Sequence, residues 1–317
     1  TGLEIAVEQI ELAVSDCEYD IEIGSRICAE SENGILTVVY DNGKAIFDGL
    51  TGELTSYIVN GKELLNVNPS EGRGINLNLY RALIDNDARM RDKWVEGGLD
   101  KLKKSLEHFS ASIEDGEIEI DVLYTMKHKR KAMYSWFIKY VISSLGAMEI
   151  KTVLRKLSPD AVSDIPRFGV TLELDRSFDT ATYFGRGESE NMPDFKAHAP
   201  VGIYSSKVSD MYEPYVFPQE NGMHCDTRWL KLSDGENTVA FYGDAPFNFS
   251  VHHQTQTAIN KAQHQEDVKD MNTTYLTVDG FTRGIGSSSC GPDTRDEFKL
   301  NADKVMEFSF TIIPTKG

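Results

Sequence analysis

The sequence predicts an all-β protein in which antiparallel hairpins stack sheet on sheet. Three observations predict it. Segments rich in β-branched and aromatic residues recur along most of the 317 residues. Several alternate cleanly, so that in Ile118–Val122 and Met148–Val153 the apolar side chains fall on one face. Turn dipeptides separate the segments at short intervals, the cadence of an antiparallel sandwich.

Leu3–Val14 reads as a strand of its own, and Ser15–Arg26 as an acidic, turn-like connection. Residues 1–24 are therefore expected to be the tail of a preceding domain with its linker, and residues 25–317 one large sheet-on-sheet unit without internal repeats. From Ile27 the hairpin cadence begins. Strands are expected over Ile35–Tyr40, Lys44–Phe47 and Leu54–Val59, divided by Asp41–Asn42–Gly43, Thr51–Gly52 and Asn60–Gly61. The one sustained helical pattern is Asp92–Ser105, where Trp94, Val95, Leu99 and Leu102 mix with charges, although Gly97–Gly98 interrupts it. Beyond it, strands are expected over Ile118–Met126, Met133–Ile142, Ala147–Leu154 and Arg167–Leu174. Tyr134, Trp136, Ile138 and Tyr140 mark one face of a core strand. The last group is Thr238–Tyr242, Phe247–His252, Thr274–Val278 and Val305–Ile313, with a short helix over Thr255–Gln265.

Met211–Trp229 stands apart. Pro214 and Pro218 remove backbone donors and force their predecessors out of helix, and Glu220–Asn221–Gly222 is strong turn chemistry. This is a rigid, aromatic-decorated surface loop that then enters a strand, and such loops usually exist to touch something.

Composition excludes several functions. With 33 Lys and Arg against 50 Asp and Glu, the net charge of −17 argues against nucleic-acid binding. No apolar run approaches the roughly 20 residues that span a bilayer. The start has neither a basic leader nor an apolar core, and it lacks Met, as expected of a processed chain or a piece of a longer one. Cys17, Cys28, Cys225 and Cys290 form no CxxC pair, so reduced thiols in a cytoplasm are expected.

Candidate chemistry is sparse. Asp85–Asn86–Asp87 opens like a calcium loop, but Arg89 stands where an oxygen ligand should, which leaves an Asx-turn or the polar rim of a ligand site. His252 and His253 point to opposite faces of a strand, cannot share a metal and, with His264, read as surface or edge histidines. Gly185–Glu188 and Gly284–Ser289 do not complete a dinucleotide fingerprint, and their glycines permit tight turns or close backbone approach. Cys290, in a Ser-rich turn, would be a nucleophile only beside a basic partner. No carboxylate pair stands out for glycoside hydrolysis.

Four segments, taken in order, carry a resemblance. Arg81–Asp87 resembles RAPxDND and Gly185–Asp194 resembles GxGPxExYPD. Tyr212–Gly222 is similar to YxPYVxPQENG, and Gly284–Pro292 to GxGxxSCGP. From about Ile27 onward the chain resembles the C-terminal domain of glycoside hydrolase family 2 β-galactosidases, a separate small subunit in heterodimeric members. Ile5–Gln9 is similar to the end of the immunoglobulin-like domain that precedes it there. The resemblance implies a galactose-mutarotase-like supersandwich. It also implies that the catalytic glutamates and the magnesium ligands lie in a TIM-barrel domain outside this chain, so that this chain has no catalytic residue, metal or cofactor of its own. Its partners would be that barrel and a galactoside, in a full enzyme that is oligomeric. Ser289, Cys290, Asp85, Asn86 and Asp87 are the expected pocket contributions, with Asp85 and Asp87 anchoring their loop. Cys290 stands where members often place a sugar-stacking Trp, and a thiol offers only a small soft contact. Glu188, Tyr215, Pro218, Glu220, Asn221 and Gly222 are expected to brace the fold and interdomain contacts. Two other readings are a free-standing aldose 1-epimerase, which would draw on His198 or His224, and a non-catalytic carbohydrate-binding module.

Overall fold

The computed structural model describes residues 8–10, 24 and 26–316. The expected strand Leu3–Val14 and its linker lie almost wholly outside them, as does Cys17. The first sheet is a five-stranded meander of β1 (Ile27–Glu32), β2 (Ile35–Tyr40), β3 (Gly43–Asp48), β4 (Glu53–Val59) and β5 (Lys62–Glu63). Asn33–Gly34 and Asn60–Gly61 close two of its hairpins with positive φ at both central residues, the turn that matches strand twist.

A 12-stranded sheet follows. After β6 (Asn76–Asn78), the expected Asp92–Ser105 helix forms only as α1 (Arg91–Glu96) and a 3-10 turn over Leu99–Lys101. Gly98, at φ 72, separates the two, and Lys103–Glu114 is instead strand β7. It pairs with β8 (Glu117–His128), then β9 (Lys131–Ile142) and β10 (Met148–Lys156). These three alternate buried and exposed residues, and Tyr134, Trp136, Ile138 and Tyr140 all lie in the core as expected. The remaining strands are β11 (Arg167–Leu174), β12 (Thr180–Arg186), β13 (Val201–Lys207), β14 (His224–Ser233), β15 (Asn237–His252), β16 (Thr274–Thr282) and β17 (Met306–Lys316). Helix α2 (Gln256–Lys261) is shorter than expected, and its N-cap Thr255 accepts from the Ala258 N–H.

The sheet forks at β15. Its first half pairs with β17 and its second half with β16. The switch falls at exposed Asp244–Pro246, where proline cannot donate to a ladder. The two expected strands, Thr238–Tyr242 and Phe247–His252, are therefore one bent strand. Among the described residues every strand pairing is antiparallel and helices are short, which is the supersandwich that the resemblance implied.

Strand β11 is buried along its whole length, so it is covered on both faces. Phe168, Val170, Leu172 and Leu174 point into an apolar core that runs continuously from Leu36 to Ile312. Arg167, Thr171 and Glu173 point the other way, beneath loops and α2. That polar face positions the site.

Candidate functional site

The four motif segments, far apart in sequence, meet around one cleft of about 270 Å³. Asp85 and Asn86 come from the first, Glu190, Asn191 and Met192 from the second. Tyr215, Gln219 and Glu220 come from the third, and Ile285 and Ser289 from the fourth.

Buried ionic contacts hold these loops. Fully buried Arg81 donates to both Asp87 oxygens, Nη2 to Oδ1 at 2.6 Å and Nε to Oδ2 at 3.2 Å, and its Nη1 donates to the Arg283 carbonyl at 2.9 Å. Asp87 also accepts from the Ile84 N–H, so it is the internal anchor of its own 3-10 turn. Arg283 in turn donates to Asp164 and Asp293. Both guanidinium groups lie over the Trp94 ring, Arg81 at 5.5 Å and Arg283 at 5.8 Å from its centroid, with Trp94 Nε1 donating to the Asp164 carbonyl. Asn86 ties the first loop to the fourth: its Nδ2 donates to the Gly286 carbonyl at 2.8 Å, and its Oδ1 accepts from the Ser289 N–H at 3.3 Å.

Glu220 joins the third loop to the first and to the sheet. It accepts from the Ala82 N–H at 3.0 Å and from Arg167, while its own N–H donates to the Ala82 carbonyl. Arg167 also faces Asp279 at 3.4 Å. Burial pushes the Asp279 carboxyl up to about 7 against the pull of Arg167, and nearby Glu220 adds to the push. Asn221 clamps its loop by accepting from the Glu213 N–H and donating to the Gln219 carbonyl. Its carbonyl accepts from His252 Nε2. Gly222 has φ +66, and a Cβ there would lie 2.4 Å from the His252 ring. Pro218 is buried beneath the same turn.

The second segment differs from expectation. Glu188 is exposed, and the bracing carboxylate is Glu190, which accepts from the Tyr215 hydroxyl and from the Gly222 N–H at 2.6 Å. Burial raises the Glu190 pKa, and these two donors oppose the rise. Asp194 accepts from the Ile285 and Gly286 N–H groups at 2.9 and 2.8 Å and from Thr294. The signal was available, because Glu190 and Asp194 are the residues that align with the acidic positions of GxGPxExYPD.

Phe195, Tyr215 and Ser289 line the cleft and are exposed, as are the adjoining Val216, Phe217 and Cys290, which do not line it. Cys290 projects from a tight turn closed by its N–H to the Ser287 carbonyl. Asp85 is exposed at the rim.

Of the three histidines expected at the surface or an edge, only His264 is exposed. His252 and His253 are buried rather than at the surface, each spent on a backbone carbonyl, and burial lowers both pKa values. His224 is buried beside the Tyr183 hydroxyl, and burial lowers its pKa to about 4. His198 is exposed, and neither His198 nor His224 lines the cleft. Among the described residues no three His, Cys, Asp or Glu side chains converge as a metal group. Cys28, Cys225 and Cys290 are unpaired thiols. No helix among the described residues is long and apolar enough to cross a membrane.

Comparison with known proteins fits this arrangement. The chain is 28% identical to a β-galactosidase of Kluyveromyces lactis over 98% of its own length, and 30% identical to one of Vibrio cholerae over 80%. It spans 30% and 25% of those proteins, respectively. In fold it is similar to a galactose 1-epimerase from Lactobacillus acidophilus NCFM, with a TM-score of 0.51 at 10% identity, covering 94% of this chain and 97% of that one. Residues 40–312 match the family model described as "Beta galactosidase small chain". With the four motif loops locked around one cleft and that match across most of its length, the chain belongs to the β-galactosidase small-chain family.

Proposed function

We propose that this chain completes the active-site cavity of a β-galactosidase whose catalytic glutamates and magnesium ligands lie in a TIM-barrel domain. The single observation that carries this reading is the convergence of all four motif loops on one cleft with an exposed apolar lip. Tyr215, Val216, Phe217 and Phe195 leave the kind of surface that packs against another protein body. Asp85, Asn86 and Ser289 line the cleft, with Cys290 beside Ser289 in the same turn, and Asp87 holds the Asp85–Asn86 loop through Arg81. The barrel would cleave terminal β-D-galactosides by the retaining two-carboxylate route, while this chain shapes the pocket. With Cys290 at the tip, the contact to a bound sugar is small and soft rather than a stacking platform. Residues 25–317 act as the module and residues 1–24 as the lead-in from a preceding domain. The assembly is oligomeric and works in a cytoplasm, where the unpaired thiols stay reduced.

The test is β-galactosidase activity of the chain alone and after addition of a barrel-containing partner. Activity only on mixing is expected. Hydrolysis by the chain alone, at a rate comparable to a complete enzyme, would sink the reading.

A further inference from the structure

A second and larger cleft, of about 590 Å³, opens on the polar face of the sheet. Glu220 lines the first cleft, Gln256 and Tyr275 line the second, and all three meet Arg167 around a small void between them. The buried Arg167 cluster is therefore the wall that separates the two.

The floor of the second cleft comes from three adjacent strands. Asn76 and Asn78 on β6, Thr171 on β11 and Tyr275 on β16 are brought side by side by the registers Asn76↔Thr171 and Asn78↔Gly169, with β16 on the far side of β11. Gln256 and Asn260 on α2 form one wall. These groups are neutral donors and acceptors, and the protein fixes their directions. Gln256 Oε1 accepts from Asn78 Nδ2 at 2.9 Å and from Arg167 Nη1 at 3.2 Å, which leaves its amide N–H groups for another acceptor. Asn260 Oδ1 accepts from the Leu83 N–H. The Tyr275 hydroxyl donates to Glu71 Oε2 at 2.8 Å, and Glu71 Oε1 accepts from the Thr257 N–H at 2.9 Å, so strand and helix are pinned together across the floor.

Leu79, Leu99, Leu102 and Met126 add an apolar side. The charges around the cleft cancel: Glu71 and Asp100 stand against Lys101 and Lys261, and Lys101 already pairs with Asp100 at 2.9 Å. A net anion or cation gains little from such a site. A ring with many hydroxyls on its edge and C–H groups on its face matches both surfaces, and the volume lies in the range of about 300–1,000 Å³ usual for small-molecule sites. We propose that this cleft binds a neutral saccharide. The proposal does not depend on the function proposed above.

The test is saccharide binding to the full chain, followed by calorimetry and by amide chemical shifts, with lactose, maltose and cellobiose as probes. Thr257 is exposed on α2 at the cleft, so Thr257→Trp fills the space without entering the core. Ser289→Trp does the same for the motif cleft. Saturable binding of at least one probe is expected, weakened at least about tenfold by Thr257→Trp and retained by Ser289→Trp. Thermal unfolding of both variants checks that they fold. Binding that survives Thr257→Trp, or no saturable binding of any probe to the folded wild type, would overturn the proposal.

Discussion

Arg81, Arg167 and Arg283 are guanidinium groups taken almost wholly out of water, whereas Tyr215, Phe217, Ser289 and Cys290, on the same or adjoining loops, are left in it. The buried set has its charge matched by Asp87, Glu220, Asp279, Asp164 and Asp293, and its donors reach the backbone of neighbouring loops. The exposed set carries no charge, and its side chains keep large solvent-accessible surfaces. The difference teaches that the motif residues serve two purposes. A buried ionic frame fixes where four loops meet, and the tips it holds gain their role from whatever packs on them. Such a frame is weak evidence for net stability, because desolvating its ions costs about as much as their attraction returns. Breaking one pair is another matter.

The sharpest way to break the comparison is Asp87→Ala, which strips buried Arg81 of its carboxylate. We expect a loss of about 3–5 kcal/mol in urea unfolding. A loss of less than about 1 kcal/mol would mean that Arg81 finds water or another partner, and that the frame is not a frame. Next comes pH. His224 stays neutral in the folded state down to about 4, whereas its ordinary value is 6.5. The unfolded chain therefore binds the extra proton between pH 6.5 and 4, and stability from this group is present above 6.5 and lost on acidification through that window. Relative to His224→Gln, the wild type should lose up to about 3 kcal/mol more between pH 7 and pH 4. Asp279, raised to about 7, has the opposite sign, its contribution falling as pH rises from about 4 to 7, so the comparison with the variant cancels it. Equal slopes in the two proteins would refute the assignment.

Gly284→Ala probes the seam between frame and tip. A Cβ there would stand 2.5 Å from Asp194 Oδ2 and from Thr294 Oγ1. We expect a cost of about 1–3 kcal/mol and shifted amide resonances confined to the Gly284–Pro292 loop and its Asp194 partner. The smallest effect on stability belongs to the tip. Phe217→Ser should leave unfolding within about 0.5 kcal/mol of wild type, yet weaken activity reconstituted with a barrel partner about tenfold at limiting concentration. Equal reconstitution by both proteins would show that the exposed lip is not the docking face.

Much of the sheet was legible because one-sided burial writes a period of two into the chain. Ile35–Tyr40 and Arg167–Leu174 coincide with their observed strands, and the short Asn-Gly and Asp-Gly turns sit where the hairpins close. Strand β7 was not legible. It is an edge strand, largely exposed, so no buried face disciplines its pattern, and the helix before it lent it a helical spacing. Pro246 made β15 look like two strands, because a proline in a ladder reads as a break unless the strand changes partner there. Of the site, the motif loops were legible from the resemblance, and so was Glu190 as the residue on the motif's acidic position, but not what its carboxylate meets. Glu188 and Glu190 are two residues apart in a turn, and only the fold decides that Glu190 meets Tyr215 and Gly222.

The all-β class, the hairpin order and the core face of Tyr134–Tyr140 follow from the sequence alone, because they depend on neighbours near in the chain, and the resemblance added which loops matter. Tertiary structure decided the rest: the fork at β15, the burial of His252 and His253, the ion pairs of Arg81, Arg167 and Arg283, and the two clefts on either side of Arg167. Those features join residues as far as 202 positions apart, such as Arg81 with the Arg283 carbonyl. Local propensity carries no record of such partners, because the cost of burying a charge is set by what the folded chain brings beside it.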